Sequence, residues 1–288
     1  MTVVQSLLEF FPVGTRINIL DVGAAFLGES PPYQQLMDAD VARLFGFEPD
    51  PSACALLNEK YGVPHRFFQC FAGDGRPATF HETNWGATGS LYAPNSRLLE
   101  KFQYLAELMT PVATHPVNTV RIDDVAEIDD VDFIKIDVQG AELSILQNAK
   151  HALSSTLVVQ TEVEFVELYQ GQPLFADVDT FMRAQGFQFH TFSGFGSRAL
   201  KPLAPKNGAG EGFRQYLWSD AFYVRDWMRL ESLSEIKLRN YAIIAHDVLK
   251  SFDLAHLILV EIDRRTTGHL AYEYVLRLTG TDPRNSKL

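Results

Sequence analysis

The chain has 288 residues, of which 46% are hydrophobic and 12% aromatic, a composition that supports a buried core and lies far from that of disordered chains. Its 25 basic and 36 acidic residues leave a net charge of −11, which repels a phosphate backbone or an anionic bilayer at long range, so no nucleic-acid partner is expected. Cys54 and Cys70 are its two cysteines, too few for a disulfide framework or a zinc knuckle.

The N-terminal MTVVQSLLEFFPVGTR has no early basic region, and Glu9 and Pro12 interrupt its apolar residues, unlike a secretory signal. No run reaches the ~20 apolar residues of a membrane span. A reducing, cytoplasmic setting is the expectation.

Short apolar runs then alternate with helical patterns. RINILDVG and ARLFGFEPD read as strands, Pro51–Tyr61 as a helix with Pro at its start, and HRFFQCFAGD as a third strand. Gly73–Asn118 is rich in Gly, Thr, Pro and Asn around a helical segment near Ser96–Met109; long insertions of this kind usually lie over the carboxyl edge of a sheet, as part of a pocket or its cover. VDFIKIDVQG, a helix over Ala141–Leu153, TLVVQTEVE, a helix over Asp177–Gln185 and FQFHTFSG follow in alternation. After a loop at Pro205–Gly212, GFRQYLWSDAFYVRD alternates as a long strand closing the sheet. The order predicts an α/β fold with a doubly wound, mostly parallel sheet over residues 1–226. From Trp227 to Leu278 the pattern is helical, with Leu238, Tyr241, Ala242, Ala245, Val248, Leu249 and Phe252 on one face. Residues 227–288 are therefore expected to form a helical extension, serving as a cap, a lid or a homodimer contact.

The chemistry is expected where strands end in carboxylates. Ile19–Ala25 runs from a strand through Asp21 into the small residues Gly23 and Ala24, which let backbone approach a ligand. Only Gly23 and Gly28 occur there, so the dinucleotide fingerprint is missing, as is a phosphate-binding G-x-x-x-x-G-K loop. Glu48, closing the second strand in GFEPDP, is placed to accept ribose hydroxyls. Asp137 and Glu162 end neighbouring strands in IDVQGAE and VQTEVE, suiting either a hard cation such as Mg²⁺ or removal of a proton from a hydroxyl. Glu142 reads equally well as a first-turn helix acid. Lys135, inside an apolar strand, receives no catalytic role. His81, His115 and His190 lie near the expected ligand edge, and His190 is carried as an alternative base. WGATGSLY, with Ser90, is a candidate contact to acceptor or cofactor.

DVGA, GFEPDP, TVRIDDV, DFIKIDVQGAELSIL and VQTEVEFVELYQGQPLF together resemble the FkbM-type family of S-adenosylmethionine-dependent methyltransferases, over about Asn18 to Asp226. The resemblance implies a class I, Rossmann-like fold of seven strands with a reversed last strand, and methylation of a hydroxyl on a sugar or small natural product. It also implies Asp21 and Gly23 around the amino-acid end of the cofactor, Glu48 on its ribose, and Phe71 and Ala72 near its adenine. The first loop, DVGAAFLG, has fewer glycines than many class I enzymes. An NAD-dependent oxidoreductase would share the sheet but should carry the dinucleotide fingerprint that is missing here, and a degenerate cofactor-binding module would bind its ligand without turnover.

Overall fold

In the computed structural model, which describes residues 5–11, 14–24, 30–206 and 210–280, each apolar run becomes a strand. Ile17–Val22 (β1), Gln34–Asp38 (α1), Ala42–Phe47 (β2), Pro51–Tyr61 (α2) and Arg66–Phe68 (β3) form the first half. Asp50 caps α2 by accepting from the Ala53 amide at 2.7 Å, with Pro51 at its first position, where a missing N–H costs nothing.

The third run stops after Phe68. Phe71–Ala72 (β4) leaves the main sheet and pairs with Pro111–Val120 (β6), which also pairs antiparallel with Pro77–Thr83 (β5). Gly73–Asn118 thus contains a β-ribbon and the short helices Ser96–Leu99 (α3) and Leu105–Leu108 (α4), a more ordered insertion than its composition suggests. Phe133–Ile136 (β7), Glu142–Gln147 (α5), Lys150–Ser155 (α6), Val158–Glu164 (β8), Phe175–Ala184 (α7), Phe187–Ser197 (β9) and Tyr216–Arg225 (β10) complete the second half. The helix expected over Ala141–Leu153 is two helices, broken at Asn148 and Ala149.

The main sheet has seven strands in the order β3-β2-β1-β7-β8-β10-β9. All its pairings are parallel except those of β10, which runs antiparallel to both β8 and β9. Side chains alternate between its faces. Ile17, Ile19, Phe133, Val158, Phe222 and Val224 pack on one face, and Leu20, Val22, Ile134, Ile136, Val159, Val163 and Tyr223 on the other. The second face is covered by α5, α6 and α7 through residues such as Ile145, Leu146, Ala152 and Met182.

The first face is covered by α1, α2 and the C-terminal helices Glu235–Ile243 (α8), Phe252–Thr266 (α9) and Leu270–Thr279 (α10). Leu238, Tyr241, Ala242, Ala245, Ile258, Leu259 and Tyr274 share one apolar cluster with the strands. A buried polar tie accompanies it: Asp132, 1% exposed, accepts from the Asn18 amide at 2.9 Å, Asn240 Nδ2 at 3.0 Å and Lys237 Nζ at 2.6 Å. Between α8 and α9 a π-helical turn, Ile244–Val248, buries Ile244, Ala245, His246 and Asp247 in succession. The wider turn departs from the regular three-and-four spacing expected there. Among the described residues no helix is long and apolar enough to cross a membrane.

Candidate active site

Alternation on the first face continues to the carboxyl ends of the strands, and there it turns polar. In register across the sheet, Asp21 of β1 faces Lys135 of β7, and Lys135 faces Gln160 of β8. One step nearer the edge, Glu162 of β8 faces Asp220 of β10. One sheet face therefore carries apolar residues under the C-terminal helices and a charged row above them.

Asp21 is 4% exposed. It accepts from the Tyr33 hydroxyl, and Lys135 Nζ lies 3.4 Å from its other oxygen. Burial raises the Asp21 pKa, while Lys135 and Tyr33 pull against that rise. Burial also works against the Lys135 ammonium, but Asp21 and Asp137 outweigh it and hold its pKa above the usual value. The strand lysine thus serves as the counterion of a buried carboxylate.

Gly23 has φ +83 and lies against Asp137: a Cβ there would overlap the Asp137 carbonyl oxygen. The Gly23 and Ala24 amides both donate to the Phe47 carbonyl at 3.1 Å. This turn draws the ends of β1, β2 and β7 together, leaving backbone rather than side chain facing the crevice. Ala25 and Gly28 of the same loop lie outside the described residues.

Glu48 follows β2 and is 5% exposed, with Oε1 accepting from the Asp50 amide at 2.8 Å. Burial raises its pKa and the Asp50 amide opposes that rise. It is a fixed, buried carboxylate rather than a solvated helix-start acid. Phe71 and Ala72 lie on β4, where the Phe71 ring packs on Phe80 with centroids 5.1 Å apart. That puts them on the small sheet rather than on the strand expected to continue past Phe68.

Asp137 and Glu162 are brought together, bridged by Gln139. Its Nε2 donates to Asp137 Oδ1 at 2.9 Å and to Glu162 Oε2 at 2.8 Å. Withdrawal from water, then the charges of Asp137 and Glu164, push the Glu162 pKa well up. The neighbouring Glu164 moves the same way, chiefly through burial. Glu142 is built into the loop: its Oε1 accepts from the Val138 amide at 2.9 Å and the Gly140 amide at 3.1 Å, and burial raises its pKa to about 7.

Mg²⁺ does not fit the pair as arranged. Among the described residues no group of three or more His, Cys, Asp or Glu side chains converges on a metal position, and the Gln139 amide bridges the two carboxylates a cation would bridge. His190 does not join the cluster either. β10 is inserted between β8 and β9, making β9 the outer strand, and Asp253 of α9 is the charged group that acts on the His190 ring. His115 pairs with Glu82 at 2.7 Å on the ribbon, and the Ser90 hydroxyl donates to the Gln139 carbonyl at 2.6 Å.

Two residues unread in the sequence face this region. Gln160 is 6% exposed, and its side-chain oxygen has no hydrogen-bond partner among the described residues. Asp220, opposite Glu162, has its pKa raised by burial and by Asp137. Gln160 lies between Val159 and Thr161 and Asp220 between Ser219 and Ala221, so neither stands in a clean apolar alternation that would have marked it. The strand ends thus present a close backbone turn at Gly23 and Ala24 and a buried carboxylate at Glu48.

Residues 21–189 match the methyltransferase FkbM domain. The 2-O-methyltransferase NoeI of Sinorhizobium fredii (strain NBRC 101917 / NGR234) is 35% identical over 176 residues, covering 56% of this chain and 69% of that protein. Among solved structures, magnesium protoporphyrin IX methyltransferase (ChlM) from Synechocystis PCC 6803 with bound SAM aligns at 13% identity and a TM-score of 0.37, over 73% of this chain and 71% of that one. A putative methyltransferase from Thermoplasma acidophilum aligns at 10% identity and a TM-score of 0.35, over 73% and 69%. The FkbM match spans more than half of the chain, across the strand ends that carry Asp21, Glu48, Asp137 and Glu162, and the chain belongs to the FkbM family of methyltransferases.

Proposed function

We propose that the chain transfers a methyl group from S-adenosylmethionine to a hydroxyl oxygen of a small polyhydroxylated acceptor. The observation that carries this reading is the Asp137–Glu162 pair, set beside the Gly23 turn through the contact of Gly23 with the Asp137 carbonyl. The 2-O-methyltransferase activity named for the Sinorhizobium relative supports oxygen as the methylated atom.

When bound, S-adenosylmethionine supplies a methyl on a positively charged sulfur, which leaves as a neutral thioether and needs no acid to help it. The protein's work is alignment and removal of the acceptor's proton. Glu48 accepts the ribose hydroxyls, the Gly23–Ala24 backbone flanks the amino-acid end, and Phe71 and Ala72 border the adenine. Beside the Gly23 turn, a carboxylate oxygen of the Asp137–Glu162 pair takes the hydroxyl proton as the new O–CH₃ bond forms and the C–S bond breaks. The raised pKa of Glu162, caused by burial and by Asp137, makes the pair a better proton acceptor than a solvated carboxylate. Asp220 and the free oxygen of Gln160 accept from further hydroxyls. This concentration of acidic groups favours a neutral acceptor over an anionic one.

Calorimetric titration with S-adenosylhomocysteine tests the cofactor assignment. Wild type should bind and Glu48→Ala should bind at least ~10-fold more weakly, since hydrogen bonds to a charged group contribute roughly 1.5–3 kcal/mol. No binding by the folded wild type would remove the assignment.

A further inference from the structure

Gln139 is held from three sides. Its side-chain oxygen lies 3.1 Å from the Tyr169 hydroxyl, which also lies 3.0 Å from the Thr88 carbonyl. The two carboxylates set the amide orientation, since a flipped amide would turn its oxygen toward them, and the oxygen is left to the Tyr169 hydroxyl. The Gln139 carbonyl accepts from Ser90, and the Glu142 carboxylate grips the amides on either side of it, at Val138 and Gly140. The backbone has φ +61, a left-handed conformation that non-glycine residues seldom adopt. Such a conformation persists where the surroundings over-determine it.

A divalent cation shared by two carboxylates would stand between their oxygens, with further oxygen ligands around it. Here the bridging atom is Gln139 Nε2, both of whose N–H bonds go to the pair. We propose that Gln139 is a positioning residue that takes the place of a divalent cation, holding Asp137 and Glu162 together by two N–H dipoles so that proton removal proceeds without metal. The inference rests on the pair facing the acceptor, as proposed above. It carries a specific corollary: changing the amide NH₂ to an oxygen, in Gln139→Glu, makes three carboxylates converge and creates a cation site.

Mn²⁺ is the probe, followed by the paramagnetic signal of the free ion and by calorimetry on the full chain. Wild type, Glu162→Gln, Gln139→Glu, Gln139→Ala and Gln139→Glu combined with Glu162→Gln are compared, each with its melting transition and its S-adenosylhomocysteine affinity. Gln139→Glu should bind one equivalent of Mn²⁺ at least ~10-fold more tightly than wild type, and the added Glu162→Gln should abolish the gain. Gln139→Ala, which opens the space without adding charge, should gain binding more weakly and decides the matter if Gln139→Glu fails to fold. Tight Mn²⁺ binding by the wild type that Glu162→Gln removes would overturn the proposal. So would folded Gln139→Glu and Gln139→Ala binding no better than wild type. Loss of S-adenosylhomocysteine binding by folded wild type counts against the cofactor assignment, and the Mn²⁺ result is read separately.

Discussion

Lys135 on β7 stands opposite Asp21 on β1, Nζ 3.4 Å from Oδ1, with side chains only 18% and 6% exposed. Removing one member of such a pair leaves a buried charge without a counterion, a loss of ~3 kcal/mol or more. Lys135→Met should therefore lower the urea midpoint substantially, even though Tyr33 still donates to Asp21. A stability equal to wild type would mean that Asp21 takes up a proton at little cost.

Gly23→Ala is expected to damage fold and site together. The new methyl would press on the Asp137 carbonyl from a residue at φ +83, and left-handed strain alone costs on the order of 1–2 kcal/mol. The variant should melt earlier, and the part that stays folded should lose S-adenosylhomocysteine affinity by more than ~10-fold, because the turn must open at the ligand edge. Unchanged affinity would place the ligand elsewhere.

Glu142 makes stability depend on pH. Its folded pKa of about 7 lies above the ordinary 4.5, so the folded chain binds its proton more tightly than the unfolded chain does. Its contribution to stability is then greatest below pH 4.5, falls as pH rises through about 7, and is constant above that. The span amounts to on the order of 3 kcal/mol. Glu142→Gln keeps an oxygen for the Val138 and Gly140 amides and removes the titration, so its urea midpoint should change less between acidic and neutral pH. Equal slopes in the two proteins would show that other carboxylates carry the effect.

His190→Asn should leave S-adenosylhomocysteine affinity within about two-fold of wild type, because the ring lies on the outer strand near Asp253 and ligand hydrogen bonds of ~1 kcal/mol or more are not at stake. A ten-fold loss in calorimetry would bring the ligand across β10 to that edge.

The main strands were legible because each is a short apolar run bounded by a carboxylate or a turn. The same pattern drew attention to Asp21, Glu48, Asp137 and Glu162. The position of His190 was not legible, since the order of residues does not disclose that β10 inserts between β8 and β9. The β5–β6 ribbon escaped because nearly all its residues are exposed or only half-buried, leaving no apolar period to read. Gln139 escaped for another reason. Its part depends on a left-handed backbone and on Tyr169, 30 residues away, and neither leaves a local sequence pattern.

The shared core beneath the site bears on how this enzyme can be recombined with its relatives. The stretch that matches the family, 21–189, leaves out Ile17 on the underside of the sheet and all of β10 and the C-terminal helices that cover it. A graft cut at those limits would carry most of the charged strand ends but leave Phe133 and Val158 bare to solvent, with Asp132 stripped of Asn240 and Lys237. Transplants intended to exchange acceptors are better made within the ribbon and the α3–α4 insertion. There the borders at Pro77 and Asn118 are exposed, and the exchange must keep the buried cluster that Leu99, Phe102 and Leu105 form with Leu168, Tyr169 and Leu217.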